Sequence, residues 1–112
     1  MIETQIVQLL RTLVSGGAYP DVADGTAVLP YATYQQVGGK PIRYLSGIAD
    51  KKIARFQINV WSKTRAEATT LIRQIEDQMI LQLNATAEGG AISTYDEISK
   101  LRGAMQDFSV TF

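Results

Sequence analysis

The chain contains 112 residues, the usual size of one domain, and its 46% hydrophobic and 20% charged residues are typical of a folded globular protein. Eleven basic residues balance eleven acidic residues, and this net charge of zero speaks against nucleic-acid or polybasic membrane binding, since both need surplus positive charge. Because cysteine and histidine are absent, disulfides, thiolate metal sites and the commonest catalytic base are excluded, and no apolar run approaches the ~18 residues of a membrane span.

The first predicted element is an amphipathic helix over residues 2–14, where apolar residues recur at three- and four-residue spacing. Gly16-Gly17 is expected to end this helix, because glycine readily adopts the left-handed conformation of a helix C-cap. Residues 18–20, Ala-Tyr-Pro, predict a short strand whose proline is tolerated at a sheet edge. Residues 21–28 are expected to form a loop.

Two strands are predicted in the middle of the chain. Residues 31–37 are rich in aromatic and β-branched side chains, and Gly38-Gly39-Lys40-Pro41 is expected to end this strand. Residues 52–62 alternate between apolar and polar side chains, which is typical of a strand with one buried face. The polar connection at residues 40–51 is expected to be the extended tip of a hairpin or an ordered arm.

A long helix is predicted after the second of these strands. Thr64 and Glu67 have the spacing of a capping box, in which each side chain bonds the backbone amide of the other residue. The helix is expected to run to about Asn84. Its apolar stripe consists of Ala68, Leu71, Ile72, Ile75, Met79 and Leu83.

The C-terminal part is expected to contain a turn at residues 87–90 and strands at residues 92–98 and 103–112. The element order is then helix, short strand, strand, strand, long helix, strand, strand. This order predicts one α+β domain over residues 1–112, with two helices packed on one face of a mostly antiparallel sheet of four to five strands.

Basic residues cluster around the 40–51 connection, with one tyrosine among them. These residues are Lys40, Arg43, Tyr44, Lys51, Lys52 and Arg55. Such a cluster is typical either of an electropositive arm that contacts a partner or of a soluble loop and strand edge kept from aggregating by lysines. The pattern favours the soluble loop over nucleic-acid binding and leaves contact with a protein partner open.

The polar face of the 52–62 strand is the second candidate interface. Arg55, Gln57 and Asn59 share this face, and Trp61 ends it. An outward tryptophan is a typical anchor of a protein interface, but Trp61 could equally cover the end of the hydrophobic core.

Catalytic patterns are missing from the sequence. There is no Gly-x-Ser-x-Gly and no Ser-x-x-Lys. Glu76 and Asp77 are neighbours on a predicted helix and therefore point in different directions, unlike the converging carboxylates of an acid–base pair. We expect no enzymatic activity, no catalytic residue, no cofactor, no metal and no small-molecule substrate.

Several segments, in this order, carry a resemblance to a known family. They are the N-terminal helix, Tyr19-Pro20, Leu29-Pro30-Tyr31-Ala32-Thr33-Tyr34, Arg55-Phe56-Gln57-Ile58-Asn59-Val60-Trp61-Ser62, Thr64, Glu67-Ala68, the long helix and a closing strand. Taken together, the chain resembles the tail-completion, or tail-terminator, proteins of long-tailed bacteriophages and prophages. The segment 101–105 matches the family pattern only loosely.

The resemblance implies an α+β structural protein without catalytic residues. It implies a homo-oligomeric ring, often a hexamer, on the head-proximal end of the tail tube, where it stops tube polymerisation and helps head–tail joining. The implied partners are the tail-tube protein and head-connector proteins, and the implied location is the virion tail, assembled in the bacterial cytoplasm. The alternative is a stand-alone protein- or peptide-binding module that uses an exposed sheet edge.

Overall fold

The computed structural model describes residues 2–23, 25–42 and 51–112, which contain two helices and five strands. In chain order these are α1 (Ile2–Leu13), β1 (Ala18–Pro20), β2 (Tyr31–Ile42), β3 (Lys51–Ser62), α2 (Arg65–Leu83), β4 (Thr86–Asp96) and β5 (Leu101–Thr111). The strands form one sheet in the order β1-β2-β3-β5-β4. β1 pairs parallel with β2, and the other three pairs are antiparallel. The predicted α+β architecture is confirmed.

The core lies between one face of the sheet and the two helices. The alternation in β3 buries Phe56, Ile58 and Val60, each at most 1% exposed, against the apolar stripe of α2. β5 adds Phe108 opposite Phe56. Each large apolar side chain buried in this way contributes about 1.5–3 kcal/mol before the entropy cost is counted. Within the described ranges, neither helix has the length and apolar character needed to cross a bilayer.

The prediction that Gly38-Gly39-Lys40-Pro41 ends the strand is wrong, because β2 continues to Ile42 and pairs with β3 throughout. The register shifts between Gln36 and Gly38, and Gly38 and Gly39 adopt φ of 150° and 144°. Glycine tolerates this conformation, so the chain bulges and the ladder continues. β2 and β3 therefore form one long hairpin, with Lys40 paired to Ile53 and Ile42 to Lys51.

The predicted turn at residues 87–90 is also wrong, because these residues belong to β4. The register between β4 and β5 shifts between Glu88 and Ile92, and Gly89 has a φ of 86°. The buried Gln106 of β5 donates from Nε2 to the Gly89 carbonyl at 3.0 Å and to Glu76 Oε1 at 2.9 Å. The glycines thus form a bulge that a neighbouring side chain holds to the sheet.

The start of α2 differs in one detail from the predicted capping box. The Thr64 hydroxyl accepts from the Glu67 amide at 3.2 Å, as expected. The Glu67 carboxylate, however, accepts from the hydroxyl of the fully buried Ser62, and Ser62 Oγ accepts from the Thr64 amide at 3.4 Å. The Ser62 hydroxyl therefore stands between the Glu67 carboxylate and the Thr64 amide, which would bond directly in a capping box. It joins the end of β3 to the first turn of α2.

Candidate interaction surface

The sheet has a second face, opposite α1 and α2, which we call the open face. The described part of the chain places no helix on it, since the buried side chains of α1 and α2 belong to the core cluster on the other face. β3 contributes Arg55, Gln57, Asn59 and Trp61 to the open face, because they alternate with its buried residues. This is the arrangement predicted from the sequence.

A polar network occupies the middle of the open face. Arg55 Nε donates to Asp107 Oδ2 at 2.9 Å, and Gln57 Nε2 donates to Asp107 Oδ1 at 3.3 Å. The Arg55 side chain is 45% exposed, and a pair this exposed contributes only about 0–1 kcal/mol to stability. The network therefore orients polar groups towards solvent more than it stabilises the fold.

Trp61 lies at one end of the open face and is half-buried. A Cβ atom on Gly103, its partner in β5, would come within 2.7 Å of the Trp61 ring and 2.5 Å of Thr94 Oγ1. The ring thus crosses β5 where β5 has no side chain and reaches towards β4. Arg65 holds the same two strands together, because it donates to the Gly103 carbonyl and, at 2.6 Å, to the Thr94 carbonyl.

A groove of about 340 Å³ opens beside Trp61; we call it the aromatic groove. Its walls are formed by two aromatic, two neutral polar and two carboxylate side chains, together with the loop after β1. These six side chains are Tyr31, Trp61, Thr33, Asn59, Asp21 and Asp96. The groove thus combines aromatic surface with two acidic groups, and none of the described residues that line it is a lysine or an arginine.

Contacts with neighbouring residues hold two side chains of the aromatic groove in place, Tyr31 and Asp96. Tyr31 packs edge-on against Tyr19, with ring centroids 6.3 Å apart and planes at 81°. Asp96 accepts from the Ser99 hydroxyl at 2.8 Å and the Ile98 amide at 3.1 Å, and these hydrogen bonds lower the pKa of the Asp96 carboxyl. Burial, and in second place the charge of Asp96, raise the pKa of the Tyr31 hydroxyl. An ionised Asp96 therefore stands close to a neutral Tyr31.

The predicted basic cluster lies at the other end of the β2–β3 hairpin. Lys52 is exposed and exchanges backbone hydrogen bonds of 2.9 Å with Phe112. Lys40 and Lys51 occupy neighbouring positions of the ladder, while Arg43 and Tyr44 lie outside the described residues. Trp61 and Lys52 are nine residues apart on one strand, so roughly 30 Å separate them at ~3.3 Å per residue.

The nine predicted interface residues therefore do not form one cluster. Asn59 and Trp61 line the aromatic groove, Arg55 and Gln57 lie in the middle of the open face, and Lys52 lies at the far end of the hairpin. The sequence prediction missed the acidic and aromatic partners of these residues. They are Tyr31, Asp21, Asp96 and Asp107. The interface role of all these residues stays a prediction.

The fold and this surface define a small two-layer α+β domain with one polar sheet face exposed. A family model described as tail completion protein gp17 matches residues 5–111, and the chain belongs to this family. The predicted resemblance is thereby confirmed. Membership gives the protein a structural role in a phage tail, in a family of structural proteins rather than enzymes.

A solved structure of another protein has a similar fold. A chain described as "Virion of native gene transfer agent (GTA) particle" superposes with a TM-score of 0.63 at 16% sequence identity, over 95% of this chain and 82% of that chain. At this identity the likeness shows a shared fold. No curated protein matches the chain.

Proposed function

We propose that this protein completes the tail by forming a ring on the head-proximal end of the tail tube. The ring stops polymerisation of the tube and offers a surface for head–tail joining. The observation that carries this proposal is the family match, which spans residues 5–111 and therefore nearly the whole chain. The ring is a homo-oligomer, with six subunits as the family expectation, and it is assembled in the bacterial cytoplasm.

The surface of the domain supports self-association and binding to other tail proteins. A zero net charge removes the long-range repulsion between copies. The open face and the basic end of the hairpin are separate patches, and a ring needs two different patches on each subunit. The interface residues we propose are Lys40, Arg43, Tyr44, Lys51, Lys52, Arg55, Gln57, Asn59 and Trp61.

The test is to add the purified protein to tail-tube subunits while they polymerise. We expect shorter tubes in electron micrographs and a ring of this protein at one end of each tube. Arg55→Glu with Gln57→Glu, which alters the middle of the open face, is expected to weaken this effect. Arg73→Glu, an exposed change on α2, serves as the matched control. Tubes of unchanged length without bound protein would contradict the proposal.

A second candidate function rests on the edge of β2. β1 covers β2 only at residues 32–34, so among the described residues the outer edge of β2 from Gln35 to Ile42 has no strand partner. An extended peptide could add to this edge as a further strand. Recovery of a non-virion protein in a pulldown, abolished by Gln36→Pro, would favour this function over tail completion. The amide of Gln36 faces the outer edge, because residues 32 and 34 of the same strand bond towards β1.

A further inference from the structure

The aromatic groove has the chemistry of a site for a basic side chain. The faces of Trp61 and Tyr31 attract a cation through their ring quadrupoles, and the carboxylates of Asp21 and Asp96 add charge and hydrogen-bond acceptors. Nearby cations do not line the groove. Arg65 is engaged with two backbone carbonyls, and Arg102 lies 5.0 Å from the centroid of the Tyr95 ring.

The same chain carries matching basic residues at the other end of the β2–β3 hairpin, where Lys40 and Lys52 take part in the ladder. Residues 40–52 contain four basic residues, namely Lys40, Arg43, Lys51 and Lys52, and one acidic residue, Asp50. Because the chain as a whole is neutral, the excess of positive charge in this segment of the sequence is balanced by acidic groups elsewhere. Two of these acidic groups, Asp21 and Asp96, stand in the aromatic groove.

The two patches cannot meet within one chain. Trp61 and Lys52 belong to the same strand, and the continuous ladder between β3 and β5 keeps them roughly 30 Å apart. A contact between the patches must therefore join two copies. It would be heterologous, since each copy would use a different surface, and contacts of this kind repeat into a ring or a helical filament.

We propose that the aromatic groove of one copy receives the basic hairpin end of the next copy, with Lys52 against Asp21, Asp96 and the rings of Tyr31 and Trp61. This inference rests on the proposed function, because it assigns the contact that closes the proposed ring. The occupant of the groove is a second copy of this chain. Each subunit then gives one hairpin end and receives one.

The absence of cysteine from the sequence permits a direct test by cross-linking. Val22 is 79% exposed at the aromatic groove, and Phe112 is 48% exposed beside Lys52. The Val22→Cys/Phe112→Cys variant, treated with a short bismaleimide in the presence of tail tubes, is expected to give a ladder of covalent multimers. A mixture of the two single-cysteine variants is expected to stop at dimers.

Two further variants test the chemistry of the contact. Asp21→Asn/Asp96→Asn removes both charges and keeps similar shape, and asparagine tolerates the φ of 61° at Asp21. In the double-cysteine chain it is expected to reduce the ladder about tenfold, and Lys51→Glu/Lys52→Glu is expected to do the same. Asp77→Asn, an exposed change on α2, is the matched control and should leave the ladder unchanged.

The outcomes separate this inference from the proposed function. Capped tubes without a ladder, or with a ladder that survives both charge variants, would overturn the groove contact and leave tail completion standing. The Asp21→Asn/Asp96→Asn variant could also keep the ladder and lose binding to tubes. That result would mean that the groove binds the tube protein, and it would overturn the inference. A ladder without any capping of tubes would support the contact and contradict tail completion.

Discussion

At the scale of single residues, Gly103 leaves the space that the ring of Trp61 occupies. We expect Gly103→Ala to lower the free energy of unfolding by about 1–3 kcal/mol, since its Cβ would overlap the Trp61 ring and Thr94 Oγ1. Trp61 is the sole tryptophan, so its displacement towards solvent is expected to shift the fluorescence emission to longer wavelength. Chemical denaturation and the emission spectrum measure both effects.

Gly90 offers a matched control for this substitution. A Cβ atom at Gly90 meets nothing within 4 Å, and this residue also lies in a strand of the same sheet. Gly90→Ala is therefore expected to leave the emission of Trp61 unchanged. An unchanged spectrum in Gly103→Ala as well would show that Trp61 does not rest on β5 as described.

Asp96 gives a second prediction at this scale, which concerns pH. Hydrogen bonds from Ser99 and from the Ile98 amide lower the pKa of Asp96 below its usual 3.8. A lowered folded-state pKa means that the stabilisation is complete above the ordinary pKa and is lost as the pH falls through the lower folded-state value. We therefore expect the 97–100 turn to loosen only in strong acid.

Measurement of this effect needs only a comparison with Asp96→Ala. The stability difference between the wild type and this variant is expected to be constant near neutral pH and to shrink in acid below the ordinary pKa of aspartate. Ile98→Ala, an exposed change without an ionisable group in the same turn, is the control and should show no such convergence. A difference that grows in acid would contradict the assignment of these hydrogen bonds to the ionised carboxylate.

The sequence predicted only part of the site. The alternation in β3 places Arg55, Gln57 and Asn59 on one face correctly, because period two is a local property of a strand. The partner of the first two residues, Asp107, is fifty or more positions away in the chain, and only the register between β3 and β5 brings it there. Asp96, at the end of β4, likewise reaches the aromatic groove only through strand pairing between residues far apart in the sequence.

At the scale of the elements, two glycine pairs explain why the sequence prediction ended β2 too early and placed a turn inside β4. Gly38-Gly39 and Gly89-Gly90 read as turns in the sequence, because glycine is enriched where the chain reverses. In the structure both pairs belong to strands with shifted registers, one in β2 and one in β4. Whether a glycine ends a strand or bulges it depends on the partner strand, which local sequence does not reveal.

The bulge in β2 makes Gly39 the more sensitive of its two glycines. Both Gly38 and Gly39 have a positive φ that strains other residues, but a Cβ at Gly39 would also lie 2.2 Å from the Ile53 carbonyl oxygen. We expect Gly38→Ala to cost roughly 1 kcal/mol or more from backbone strain. Gly39→Ala is expected to cost clearly more, as measured by thermal or chemical unfolding.

The comparison also identifies which part of the sheet responds. Hydrogen exchange of the Ile53 and Arg55 amides, which face β2, is expected to accelerate in Gly39→Ala, because the ladder next to the bulge is disturbed. Amides of β5 opposite β4 are expected to keep their protection. Equal stability of the two variants would mean that the close approach of β2 to β3 at Gly39 is absent in solution.

At the scale of the whole molecule, the net charge is zero, but basic and acidic groups lie at different places on the surface. The basic hairpin end and the carboxylates of the aromatic groove lie at opposite ends of the β2–β3 hairpin. Electrostatic attraction between copies then depends on orientation, and it favours a head-to-tail arrangement over a symmetric pair. Net charge alone, which is all that the composition provides, hides this asymmetry.

This separation of charge predicts how self-association responds to salt. Raising the ionic strength from about 0.01 M to about 1 M shortens the screening length from roughly 30 Å to 3 Å, so we expect the cross-linked ladder to weaken steeply. The Lys51→Glu/Lys52→Glu variant, which lacks the attraction, should show little further loss. Association that instead strengthens with salt would contradict the charge-driven contact, because burial of apolar surface, and not attraction between Lys52 and the groove carboxylates, would then drive self-association.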